Sequence, residues 1–342
     1  MLKTKQYFFH SAFLIAIFIV GNTLIYFPKH NDIKSSILGV IMAAAVSLLI
    51  YVAFAFLTKK YKNIHNFKYV KPFCLIVITL CAFLVALISS SDYISYVSLF
   101  RMQKTPKVII SVLFIALCVY LASLKREVIL KLSLLVFIYV FLSVTVLFVL
   151  SFSQLDFKAV FPLEFKTFET AKSFLTILSQ SFLSSVVLIM LLKSSKTSIS
   201  IKMWMLGLIL GLFILMVCML NILFIFGPDL SNKLNLPYAY SMSVINMGKT
   251  FLRLEGFSYL NYFACSLLKA SACLFVIKEM YEEYFNKKGI YILLPIGILL
   301  IALSLINNIS DFLYSLSFSF ILLILEGLTL TLMGVFYKRN LA

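Results

Sequence analysis

Polar residues are sparse along this chain, and they leave ten apolar runs between them. The runs lie at roughly 8–28, 35–57, 70–92, 107–124, 129–151, 170–192, 203–226, 257–277, 289–307 and 314–336, with edges good to a few residues. A helix needs roughly 20 apolar residues to cross the hydrocarbon core. The short alternating segments of a transmembrane barrel are missing. The pattern predicts an all-α polytopic membrane protein of ten transmembrane helices, a single membrane domain over 1–342. Run 1 is too long for a signal h-region and no A-x-A-like site follows it, so it is expected to be a span rather than a leader.

Polar residues inside the runs carry the functional signal, because lipid charges heavily for them. Run 1 contains "IVGNTLIYFP", with Gly21, Asn22 and Thr23 about two-thirds along it and Pro28 closing it. Glycine weakens a helix, and Asn and Thr compete for backbone hydrogen bonds. An interrupted helix at that depth must be buried or line a cavity. Broken helices in transporters aim freed amides and half-helix ends at a ligand. The other explanation is a close helix contact made by a small residue.

A broken first helix predicts a counterpart at the start of a second half. With ten runs, inverted five-helix repeats would pair run 1 with run 6, as 1–151 and 170–336. Run 6 holds "TILSQSFLSSVV", in which Ser173, Thr176, Gln180 and Ser184 fall on one helical face, with Ser179, Ser181 and Ser185 close by. Interhelical Ser/Thr packing would also account for these residues. The expected ligand-binding residues are Gly21, Asn22, Thr23, Gln180, Ser181 and Ser184, joined by Tyr262 and Ser266 of run 8.

Run 8 holds the most expensive residue, Lys269, on one face with Tyr262, Ser266 and Cys273. Run 10 holds Glu326, on one face with Ser319 and Thr329. Lys269 and Glu326 are expected to pair or to share a hydrated cavity, as a coupling element or as a purely structural ion pair. The loop 227–256 between runs 7 and 8 includes an amphipathic stretch over 239–254, expected to lie at the outer interface.

Composition agrees with the class. Apolar residues make up 62% of the 342, charged residues 13%, and mean hydropathy is +1.05. With the N-terminus placed in the cytoplasm, the inner segments hold 18 of the 30 Lys and Arg, with the strongest contrast in the 59–71 loop. Both termini are therefore expected to be cytoplasmic. The net charge of +17 fits basic flanks against anionic headgroups. It gives no reason to expect nucleic-acid binding, since no loop is long enough for a soluble domain. The six cysteines lie in the runs without C-x-x-C spacing, and His10, His30 and His65 show no metal spacing. No nucleotide loop, G-x-S-x-G or catalytic cluster stands out, so neither an enzyme nor a cofactor is expected.

Three stretches, in order, resemble the endospore germination permease family, the B-subunits of GerA-type nutrient receptors related to the amino acid–polyamine–organocation transporters. They are "IVGNTLIYFP", "FGPDLSNKLNLPYAYSMSVINMG" and "FLRLEGFSYLNYFACSLLKASACLF", the last matched through Arg253, Glu255 and Lys269. The chain departs from the family's pattern at Thr23, where a second glycine is common. It departs again at Ser184, Ser185 and Val186, where Gly and Glu are common.

The resemblance implies a ten-helix inverted-repeat fold, amino acid permease-like, with broken helices 1 and 6 and a midplane pocket for a small nutrient such as an amino acid. It implies a place in the spore inner membrane, or the bacterial cytoplasmic membrane, with A-type and lipoprotein C-type subunits as partners. Two other readings stay open. One is a secondary amino acid transporter of the same fold, run on protons or on the lysine, since no clear sodium ligand set emerges. The other is a polytopic membrane enzyme or scaffold.

Overall fold

A computed structural model describes residues 4–23, 32–60, 70–100, 102, 104–161, 165–188, 191, 201–234, 237–244, 255–306 and 309–337. Among them there are only helices and their connections. In chain order α1 is Thr4–Thr23, α2 Ile33–Lys60, α3 Val70–Phe100, α4 Lys107–Ser123 and α5 Arg126–Ser151. The 3-10 turns Phe152–Gln154 and Phe157–Val160 lead to α6, Thr167–Ile177. That helix passes into a π turn, Leu178–Phe182, and a 3-10 turn, Leu183–Val186. There follow α7 (Ile201–Ser231), α8 (Pro237–Val244), α9 (Glu255–Phe285), α10 (Ile290–Ser304), α11 (Ile309–Leu313) and α12 (Leu316–Tyr337).

Each apolar run carries a helix, as a bilayer requires when backbone groups must be satisfied within the segment. Helices α2, α3, α5, α7 and α9 are long and apolar enough to cross a membrane, and α1, α4, α10 and α12 supply shorter apolar stretches. α6 is outside that set: it runs only 11 residues before the π turn and carries Glu169 and Lys172. Near its C-terminal end α7 turns sharply at Gly227, whose φ of 65° suits glycine, followed by Pro228.

Burial separates centre from rim. In α9 and α3, 78% and 72% of the apolar window is buried, against 33% in α2 and 39% in α5. α1 is buried almost all round from Leu14 to Val20. The rim helices turn rows of large apolar side chains outward, such as Leu135, Leu142, Val146 and Val149 on α5. These rows are suited to acyl chains.

Glycines set the closest helix contacts. Added Cβ atoms at Gly207 and Gly211 of α7 would come 2.7 Å from the Ala12 carbonyl oxygen and 2.9 Å from Ile19 Cβ of α1. The "GLILG" stretch is thus a small-xxx-small seam against the central helix. A Cβ at Gly39 of α2 would come 2.9 Å from the Phe174 backbone nitrogen of α6.

Polar networks tie the two ends of the bundle. At one end Asp32 caps α2, its Oδ2 accepting from the backbone N and Oγ of Ser35 at 3.1 and 3.0 Å. Asp32 N donates to Glu169 of α6 at 2.7 Å, and Ile33 N donates to Asn232, just past α7, at 3.1 Å. At the other end Arg126 of α5 pairs with Glu279 of α9. There Lys278 donates to the carbonyls of Ala122 and Ser123 at 3.3 and 3.1 Å, satisfying the end of α4. The starts of α2 and α6 thus lie with the end of α7, and the end of α4 and start of α5 with the C-terminal part of α9.

Candidate functional site

The site forms where α6 leaves α geometry. A π turn shifts the backbone ladder by one residue and is frequent at functional positions. Here it turns the Gln180 carbonyl toward Lys269, which is fully buried midway along α9. Lys269 Nζ donates to Gln180 O at 2.9 Å and to Phe18 O of α1 at 3.2 Å, and lies 5.4 Å from the Phe18 ring centroid. One ammonium thus bridges three helical elements, supported by carbonyl dipoles and a ring face.

The expected direct pairing of Lys269 with Glu326 is not formed. Among the described residues the lysine's hydrogen bonds go to carbonyls, and both Glu326 carboxylate oxygens are buried without a hydrogen-bond partner. The carbonyl cradle made by the π turn is what sequence periodicity could not anticipate.

Asp92 is the residue the sequence reading missed. It is fully buried on α3, with Oδ2 accepting from Tyr314 at 2.7 Å and Oδ1 unpartnered. Asp92 is the last residue of apolar run 3, but α3 continues to Phe100. The tripeptide of serines before it, Ser89 to Ser91, was the available signal.

The residues expected from run 6 converge. Ser173, Thr176, Gln180 and Ser184 are buried, and so are Ser179, Ser181 and Ser185 on the other faces, because helices surround this segment. Gln180 Nε2 donates to Leu313 O at 2.7 Å, while its Oε1 and the Ser181 hydroxyl have no partner. Ser184 turns back to the Ser181 carbonyl, at 3.0 Å. Tyr51 of α2 joins from below, hydrogen-bonded to Phe182 O at 3.0 Å and to Ser185 at 2.6 Å.

On α9, Ser266 lies one turn from Lys269, buried and unpartnered. Tyr262 is buried with its ring edge-on to Tyr96, centroids 4.5 Å apart, and near Tyr238 of α8. Tyr93 and Tyr259 complete this aromatic cluster through a 2.8 Å hydroxyl contact.

Run 1 turns out differently. α1 stays helical through Thr23, so the interruption expected at Gly21–Thr23 does not fall inside the helix; residues 24–31 lie outside the described ones. Gly21 faces Cys265 of α9, and a Cβ there would make ordinary van der Waals contact with Cys265 Cβ at 3.4 Å. Asn22 and Thr23 close α1, and their side chains are outside the described set, as are Arg253, the Glu255 side chain, His30, His65 and Cys74. Of the amphipathic stretch 239–254, the structure describes the part within α8. The five described cysteines are free and buried, and no group of three metal-ligating side chains occurs among the described residues.

The architecture is that of a helical membrane transporter. A solved structure described as the substrate-bound, outward-open state of a Na+-coupled sialic acid symporter superposes with a TM-score of 0.62. The match covers 96% of this chain and 78% of that one at 15% identity, a likeness of fold. A family model described as spore germination protein matches residues 2–312, and the chain belongs to that spore permease family. No match is found among the curated proteins.

Proposed function

We propose that this protein is the membrane-embedded B-type subunit of a spore germinant receptor, which binds a small nutrient such as an amino acid and triggers germination. The observation that carries the reading is the set of buried, unpartnered polar atoms around the π turn: Gln180 Oε1, Ser181 Oγ and Ser266 Oγ beside the cradled Lys269. Buried polar groups without partners are costly. A polar ligand wedged between α1, α6 and α9 would satisfy them.

The ligand would act by preferring one arrangement of α1, the π turn and α9, so that its binding shifts the population of states. A-type and lipoprotein C-type subunits would read that shift in the spore inner membrane. The proposal includes ten spans in two inverted five-helix repeats with both termini cytoplasmic, and no catalytic step. The buried ionisable trio of Asp92, Lys269 and Glu326 also supports a second reading, a secondary transporter of the same fold, because such residues serve as coupling groups in membranes.

One experiment separates the two. Spores lacking this gene are followed for dipicolinic acid release across a panel of amino acids and other nutrients, with uptake of the same compounds measured in growing cells. The receptor reading expects loss of response to one nutrient with uptake unchanged. Normal germination with lost uptake would replace it by the transporter.

A further inference from the structure

Away from the polar site, the helix ends near residues 75 and 285 enclose a cavity of about 330 Å³. It lies between the start of α3, the end of α9 and the start of α10, lined by Leu75, Ile76, Ile277, Met280, Ile292 and Ile296 among others. Thr79 and the tyrosines Tyr281 and Tyr284 bring the polar atoms of its lining side chains. Ile76, Tyr284 and Phe285 on its rim are exposed on the outside of the bundle, so the cavity opens sideways, toward what surrounds the helices.

Two further features stand at this mouth. Tyr281, Tyr284 and Phe285 form an aromatic group at a helix end, the position aromatic residues take at a membrane interface. Lys287 and Lys288 follow directly and are exposed. Of the nearby acids, Glu279 is paired with Arg126 and Glu282 accepts from the Gly289 backbone N at 2.9 Å. Glu282 and Glu283 are both exposed and keep their charges, so Arg126, Lys278, Lys287 and Lys288 outnumber the three acids by one.

We propose that this cavity is a binding site for an anionic phospholipid, with an acyl chain in the apolar interior and the headgroup at Lys287 and Lys288. The interior suits a flexible hydrocarbon chain, the mouth lies where lipid supplies one, and the basic rim selects the headgroup charge. The site is separate from the polar cluster around Lys269.

The test uses purified full-length protein with phosphatidylglycerol and phosphatidylcholine as probes, read by native mass spectrometry and by thermal unfolding. Wild type should retain one phosphatidylglycerol and be stabilised by it. Its preference over phosphatidylcholine should be about fivefold, from the one positive charge in excess. Ile296→Trp fills the cavity and should lose both lipids. The exposed double variant Lys287→Gln/Lys288→Gln should keep the fold and lose the preference for phosphatidylglycerol. Equal phosphatidylglycerol retention by wild type and the filled variant would overturn the site. Equal retention of both lipids by wild type would overturn its assignment to an anionic headgroup. Should the filled variant fail to fold, the lysine double variant still decides: an unchanged preference contradicts the proposal.

Discussion

At the scale of single residues the protein is organised around one ammonium ion. Lys269 holds together α1, the π turn after α6, and α9 through two carbonyls and a ring. Asp92 is buried on α3, and its contact with Tyr314 ties that helix to the α11–α12 connection. The two halves of that contact can be taken apart. Tyr314→Phe removes the hydrogen bond and should cost about 1 kcal/mol of stability, the scale of interhelical hydrogen bonds in membranes. Asp92→Asn keeps an acceptor for Tyr314 but removes the charge, so it should leave unfolding nearly unchanged while weakening the nutrient response. Thermal unfolding of purified variants, set beside germination of complemented spores, measures both. If Asp92→Asn leaves the response intact, the acid is structural.

At the scale of elements, hydrophobic length located the helices and helical periodicity located the buried faces. Ser173, Thr176, Gln180 and Ser184 share a face in the sequence and are buried together in the structure. Tyr262, Ser266, Lys269 and Cys273 do the same on α9. What periodicity could not yield was backbone geometry that departs from the regular helix. The π turn that exposes Gln180 O has no glycine or proline to announce it. The Gly-Asn-Thr stretch that suggests a break is helical and ends the described part of α1. Asp92 was hidden by a helix longer than its apolar run.

The glycine seam gives the sharpest test at this scale. Gly207→Ala drives a methyl against the Ala12 carbonyl, which cannot rotate away, and should cost about 1–3 kcal/mol, as overpacking does. Gly327 has nothing within 4 Å of a new Cβ, so Gly327→Ala should stabilise by roughly 0.5–1 kcal/mol through helix propensity alone. Equal effects of the two would mean that α1 and α7 are not packed through this seam.

At the scale of the whole molecule, a central group of buried helices is wrapped by rim helices with lipid-facing apolar rows, and polar networks close both ends. Sequence length and the spread of lysines gave the class and the expected orientation. The transporter-like fold and the spore germination family then agree with that class. On the proposed receptor function, nutrient sensing runs through the lysine cradle. Its most direct measurement is germination of spores whose only copy of this gene carries Lys269→Met, with membrane level and receptor assembly checked alongside. Methionine keeps the length and removes the charge, and replacing a buried charge by an apolar side chain of similar volume is often tolerated by the fold. The account predicts normal protein level and assembly with loss of the response to the cognate nutrient. A full response from the methionine variant, assembled at wild-type level, would contradict it.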